Sequence, residues 1–164
     1  MSRIQIVERN KASLGLRFVN NLIDSIILNW VPTLLLYFFG QIIFYVGYED
    51  LYNLLVNFTE DNFVLNILIS VLITVFYYYL MEFYNNGRTI GKYITGTMAV
   101  SLSGEMSSIQ IWKRTLSRLV PFDALSFFGE NGWHDSWSDT RVVKISDFEN
   151  AMRMENELEN IGKE

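Results

Sequence analysis

The chain has 164 residues, half of them apolar, with 12 Phe, 9 Tyr and 4 Trp, a richer apolar mixture than soluble domains usually carry. It has no cysteine, which excludes disulfides, thiol catalysis and thiolate metal sites, and a single histidine, His134. A formal net charge of -5 gives no electrostatic reason to expect nucleic acid as a partner.

The placement of the charges is more informative than their number. All 13 Lys and Arg lie at or before Arg17, or at or after Arg88. In chain order, residues 1–13 form a basic segment with Arg3, Arg9 and Lys11, read as cytoplasmic. An apolar run of about 18–46 follows, and another of about 63–83; a spanning helix needs ~20 predominantly apolar residues, and both reach that length. Pro32 predicts a tilt or kink in the first. Between them, Glu49, Asp50, Glu60 and Asp61 make an acidic loop without bases. Since Lys- and Arg-rich loops stay cytoplasmic, both ends are expected inside and this loop outside. Tyr77, Tyr78, Tyr79 and Tyr84 suit an aromatic belt at the inner end of the second span. A cleaved signal peptide fits poorly, because the run starts late, exceeds the usual apolar core and lacks a small-residue cleavage site. A buried hairpin of a soluble protein is the other alternative.

After Asn85-Asn86-Gly87, a turn, comes GRTIGKYITGTMAV. Next, Ile109, Trp112, Leu116 and Leu119 recur at helical spacing with Lys113, Arg114 and Arg118 between them. That pattern predicts an amphipathic helix over about 108–128, lying at the membrane interface with Pro121 breaking it. FDALSFFG, Phe122 to Gly129, is too short to span and reads as a shallow re-entrant or interfacial turn. TRVVKI is a candidate short strand. Residues 147–164 form an acidic cytoplasmic tail read as a frayed or conditional helix.

Three segments together carry a resemblance. RFVNNLID (Arg17 to Asp24), GRTIGK (Gly87 to Lys92, with Gly96 and Val100 beyond) and WHDSWSDTRVV (Trp133 to Val143) follow in order around the two apolar runs. This pattern resembles the RDD family of bacterial integral membrane proteins, over about Leu14 to Ile145. The resemblance implies motif positions at Arg17, Asp24, Gly87, Arg88, Gly91, Lys92, His134, Asp135 and Thr140, with Asp135 as the second family aspartate. It implies residence in the bacterial inner membrane. Some members are similar to cation/proton exchangers, so transport is the role it suggests. The stretch WKRTLSRLVPFDALSFFG departs from many relatives, which have a longer apolar segment there, and speaks against a third span.

The fold expected is therefore an all-α membrane protein. A two-span transmembrane hairpin carries a cytoplasmic interfacial or re-entrant helix, in one membrane domain of residues 14–146.

The best candidate site lies at the start of the first span. Arg17, Asn20, Asn21 and Asp24 share one helical face, continued by Ser25 and Asn29. A carboxylate two turns into a bilayer must pair, protonate or face water. Arg17 is about 10 Å away along the axis at 1.5 Å per residue, so Arg88, Lys92 or Arg118 is an equal candidate partner. Glu82 is the second intramembrane acid, expected to snorkel or pair with a base. Antiparallel packing would let it share a cation or proton with Asp24. For each, a polar network that locks the helices is the competing reading. His134-Asp135 is better read as a turn or cap than as a metal site, since no second histidine exists. GRTIGK is not a phosphate loop, because Tyr93 follows Lys92; Arg88 and Lys92 suit lipid phosphates.

These readings leave two functions. One is a small transporter or cation/proton exchanger using Asp24, necessarily oligomeric, with a proton or monovalent cation as ligand and Asn66, Ser70 and Thr74 as a polar seam. The other is a non-catalytic scaffold, assembly factor or partner-binding subunit. An enzyme is not expected, as no nucleophile–base pair is visible, and no cofactor is implied. The partners expected are the lipid bilayer and a second copy or another membrane protein.

Overall fold

The structure, a computed structural model, describes residues 2–120 and 133–161. Pro121, the FDALSFFG turn and the end of the expected 108–128 helix lie outside the described residues. The chain is mostly helical, as expected. In order it forms α1 (Arg3–Arg9), α2 (Leu14–Tyr45), α3 (Glu49–Asp61), α4 (Phe63–Tyr84), α5 (Ile90–Thr95), β1 (Thr97–Ser101), α6 (Ser108–Ser117), α7 (Trp133–Trp137), β2 (Thr140–Lys144) and α8 (Ile145–Ile161).

Helices α2 and α4 are long and apolar enough to cross a bilayer. Their side chains are also exposed along most of their length: Trp30 is 62% accessible and Phe63 74%. A soluble core hairpin would bury these residues, and so continuous an apolar surface needs lipid or protein to cover it. Pro32 sits inside α2, which continues as helix on both sides of it.

Residues 25–76 make one compact unit. Here the polar residues of α2 and α4 bond within their own helices. Asn29 Nδ2 donates to the Ser25 carbonyl and Thr33 Oγ1 to that of Asn29, each at 2.7 Å, and Thr74 Oγ1 donates to that of Ser70 at 2.8 Å. These groups are satisfied where water is scarce without a neighbouring helix. At Gly47, φ +90°, the chain turns into α3, and the rings of Phe44 and Tyr52 pack 5.3 Å apart.

The second unit comprises residues 1–24 and 77–164. Its centre is a two-stranded antiparallel ribbon with Thr97 opposite Lys144 and Ser101 opposite Thr140. TRVVK was expected as a strand. Its partner TMAVS was not, so the all-α expectation needs this one correction. The alternation of TMAVS is short and its Thr and Ser point inward, where a period-2 reading expects apolar residues. The ribbon, α1 and α8 enclose a small core of Ile6, Val7, Val100, Val143 and Phe148, with Met98, Leu102, Ala151 and Met152 against it. The first turns of the acidic C-terminal segment are therefore docked helix. Capping boxes start α1 at Ser2 with Gln5, and α6 at Ser107 with Gln110, satisfying the first free amides of both.

Two glycines allow the close approaches that position the site. Gly87 has φ +79°, and a Cβ there would meet the Ala99 carbonyl oxygen at 2.4 Å. At Gly91 a Cβ would lie 2.4 Å from the Asn20 carbonyl oxygen, so only glycine lets α5 rest on α2.

Candidate functional site

The site lies wholly within the unit of residues 1–24 and 77–164 and is built from α2, α4, α5, α6 and α7. Among the described residues it holds three buried carboxylates, which differ in what surrounds them.

Asp24, 2% exposed, is held by neutral donors. Tyr77 Oη and Thr89 Oγ1 each reach it at 2.7 Å and the Gly91 amide at 2.9 Å. Thr89 also caps α5 through the Lys92 amide, and the Ile90 amide donates to Tyr77 Oη at 3.3 Å. The turn at GRTIGK thus brings backbone amides and a hydroxyl to one end of α2. Asn20, one turn earlier, sits between the Thr95 and Thr97 hydroxyls at 2.5 and 2.9 Å. With its amide nitrogen toward Thr95, it also reaches the Gly91 and Leu16 carbonyls at 3.2 and 3.3 Å.

Glu82, fully buried, is held by bases. Lys92 Nζ lies 2.7 Å from Oε1, Arg118 Nη2 2.7 Å from Oε1, and Arg114 Nε 3.0 Å from Oε2. Lys92 Nζ also donates to the Gly87 carbonyl at 3.0 Å. Burial pushes the Lys92 ammonium down to about 8, against the upward pull of Glu82. Burial also works against the Arg118 guanidinium, but Glu82 beside it outweighs this and moves it upward. Arg118 stacks over the Tyr78 ring at 3.9 Å.

Asp135 is the third. Arg114 Nη1 lies 2.5 Å from Oδ1 and also contacts Thr140 Oγ1. Arg17 Nη1 lies 3.7 Å from Oδ2, and His134 Nε2 3.6 Å from Oδ1. Burial raises the Asp135 carboxyl, but His134 and Arg114 together leave it below the ordinary carboxylate range. The Ser138 hydroxyl donates to the His134 carbonyl and closes the α7 turn. Since the neighbours of Asp135 are mostly cations, this set repels a metal ion.

Most of the predicted residues therefore meet. Arg17, Asn20, Asn21, Asp24, Tyr78, Lys92, Arg118, His134 and Val142 line one polar cleft. The cleft is small, with ≈ 20 Å³ of space for water-sized species, about one water. The acid beside Arg17 is Asp135. Asp24 and Glu82 have separate partners, so the idea of a cation shared between them finds no support in this geometry. Arg88 points elsewhere, over the Tyr93 ring at 5.6 Å.

Sequence reasoning missed Tyr77 and Thr89, which hold Asp24, and it misplaced Arg114. Arg114 is 0% exposed and joins Glu82 to Asp135, whereas the amphipathic pattern placed it among headgroup-facing bases. The face of α6 turned inward carries Ile111, Arg114 and Thr115, while Ile109 and Leu116 are exposed. The available signal was the i, i+4 pair Arg114 and Arg118, next to two acids that needed bases.

The RDD family profile matches residues 11–139, which include Arg17, Asp24, Glu82, Lys92, Arg114 and Asp135. Comparison with curated proteins and with solved structures finds no match.

Proposed function

The chain belongs to the RDD family, and we propose that it is a proton-coupled membrane transporter in which Asp24 carries the exchanged proton. One observation supports this reading above the others. Of the three buried acids, Asp24 alone is held by neutral donors, whereas Glu82 and Asp135 are held by bases. Protonating Glu82 or Asp135 forfeits ion pairs and leaves buried cations uncompensated. Protonating Asp24 forfeits none, and its two hydroxyl partners can turn from donor to acceptor. The cleft that Asp24 lines has room for about one water.

In this reading the protein crosses the bacterial inner membrane twice, with both ends cytoplasmic. The exposed apolar stripe of α6 lies in the interface, with Trp112 stacked on Tyr79 of α4 at 4.4 Å. Two spans do not enclose a pathway, so copies of the chain assemble to form one, or it pairs with another membrane protein.

The test is relaxation of an imposed pH gradient in vesicles of purified protein, with Na⁺, K⁺ or Li⁺ supplied in turn. Wild type dissipates the gradient and Asp24→Asn does not. Absence of flux from folded wild-type protein removes the transport reading.

A second reading has its own support. Glu82 ties α4, α5 and α6 together through three bases, as a lock in an assembly subunit would. In that case Asp24→Asn leaves crosslinking to a membrane partner intact while Glu82→Gln abolishes it.

A further inference from the structure

The cleft is positively charged. Among the described residues, Arg17, Lys92 and Arg118 line it with one carboxylate, Asp24. Glu82 and Asp135 offset part of the excess from behind. A lining of this kind favours a negatively charged ligand over a cation.

A second, independent observation agrees. The Arg118 side chain is 10% exposed. Its Nη2 is used by Glu82, but its Nη1 is buried without a hydrogen-bond partner among the described residues. Buried guanidinium donors are rarely left open, and a planar fork with one arm already fixed is suited to a phosphate oxygen. The Asn20 and Asn21 side chains add neutral polar lining.

We propose that this cleft binds a single phosphate group, one oxygen of which enters beside Arg118, with Arg17 and Lys92 as the other bases of the lining. The group comes from free phosphate or from a lipid headgroup. As the ligand class of the same cleft, this rests on reading it as a ligand site, but it is measured by binding and needs no flux. Among the described lining residues a cation would meet three positive side chains and one carboxylate.

The experiment uses the full chain in a phosphate-free maltoside detergent, with two arms. The first titrates inorganic phosphate against potassium chloride at matched ionic strength and follows affinity by calorimetry. The second adds phosphatidylglycerol and counts retained lipid by native mass spectrometry. Saturable phosphate binding in the first arm identifies free phosphate. Stoichiometric lipid retention with no phosphate binding identifies a headgroup.

In either case Arg118→Gln weakens binding about tenfold or more, as expected for loss of a charge-assisted bond. Arg118→Lys, which keeps the charge, loses less. Asp24→Asn binds more tightly, because a negative lining group is gone. That sign separates an anion site from a cation site, which the same substitution would weaken, and it holds even if Arg118→Gln does not fold. Binding in neither arm, or weaker binding in Asp24→Asn, overturns the proposal. Loss of pH-gradient relaxation with phosphate binding intact would instead end the transport reading alone.

Discussion

Glu82 shows how a charge survives in an apolar helix. Its two oxygens take three cationic donors, so ionised Glu82 neutralises groups that would otherwise be stranded. Removing one partner of a buried ion pair costs about 3–5 kcal/mol. Glu82→Gln is expected to lower stability by an amount of that order, read as thermal unfolding in detergent; a change of under about 1 kcal/mol, the range of exposed pairs, would mean that the cluster is solvated.

Lys92 gives a pH signature. Its ammonium titrates near 8 in the folded chain against 10.5 when unfolded, so the native state loses this proton first. Between those values the unfolded chain holds a proton that the folded chain has released, so the Lys92 contribution to stability rises with pH across that window. Below it, both states are protonated and the burial cost is fully present. Unfolding of wild type against Lys92→Met from neutral pH upward is expected to show this rise in wild type and not in the variant. Arg17, Asn20 and Asp24 were legible in the sequence because polar side chains at i, i+3 and i+7 beside an apolar run are costly in lipid unless their shared face meets protein or water. The partners of Asp24 were not legible, since a backbone amide and a tyrosine far along the chain leave no trace in local spacing.

The elements divide by how local their causes are. The two apolar helices arise from neighbouring residues and were readable. Which face of α6 turns inward was not, because its apolar stripe has two uses. In a soluble protein Ile109, Trp112 and Leu116 would face the core, whereas here they are exposed and Arg114 is buried. The buried acids of α4 and α7, distant in sequence, set that choice. The ribbon has a similar origin: β1 became a strand because β2 pairs along it, and β2 is held in turn by Lys11 opposite Val143. The core that α1 and α8 share with this ribbon makes a direct prediction. Phe148, 6% exposed, packs with Ile6, Val7 and Val143. Phe148→Ala is expected to cost about 3–5 kcal/mol, and hydrogen exchange in both helices should accelerate together. Faster exchange in α8 alone would show that the two ends do not share a core.

For the whole molecule, the proposed arrangement in the membrane rests on the asymmetry of charge. Every base lies outside the stretch from Phe18 to Gly87, and the segment between the two long helices is acidic. The chain has no cysteine, so single cysteines can be placed without background. Asn57→Cys in α3 is expected to react with an impermeant maleimide from outside intact cells, and Glu157→Cys in α8 only after permeabilisation. The reverse pattern would invert the proposed topology.

Transport as proposed requires that Asp24 gain and lose a proton while the other two buried acids, tied to bases, do not. Infrared difference spectroscopy across pH on the reconstituted protein reads that proton without intermediaries. A protonated-carboxyl band is expected to appear as pH falls and to be absent from Asp24→Asn. A band of that kind persisting unchanged in Asp24→Asn would contradict the assignment, and so would its absence from wild type over the whole range in which the fold survives.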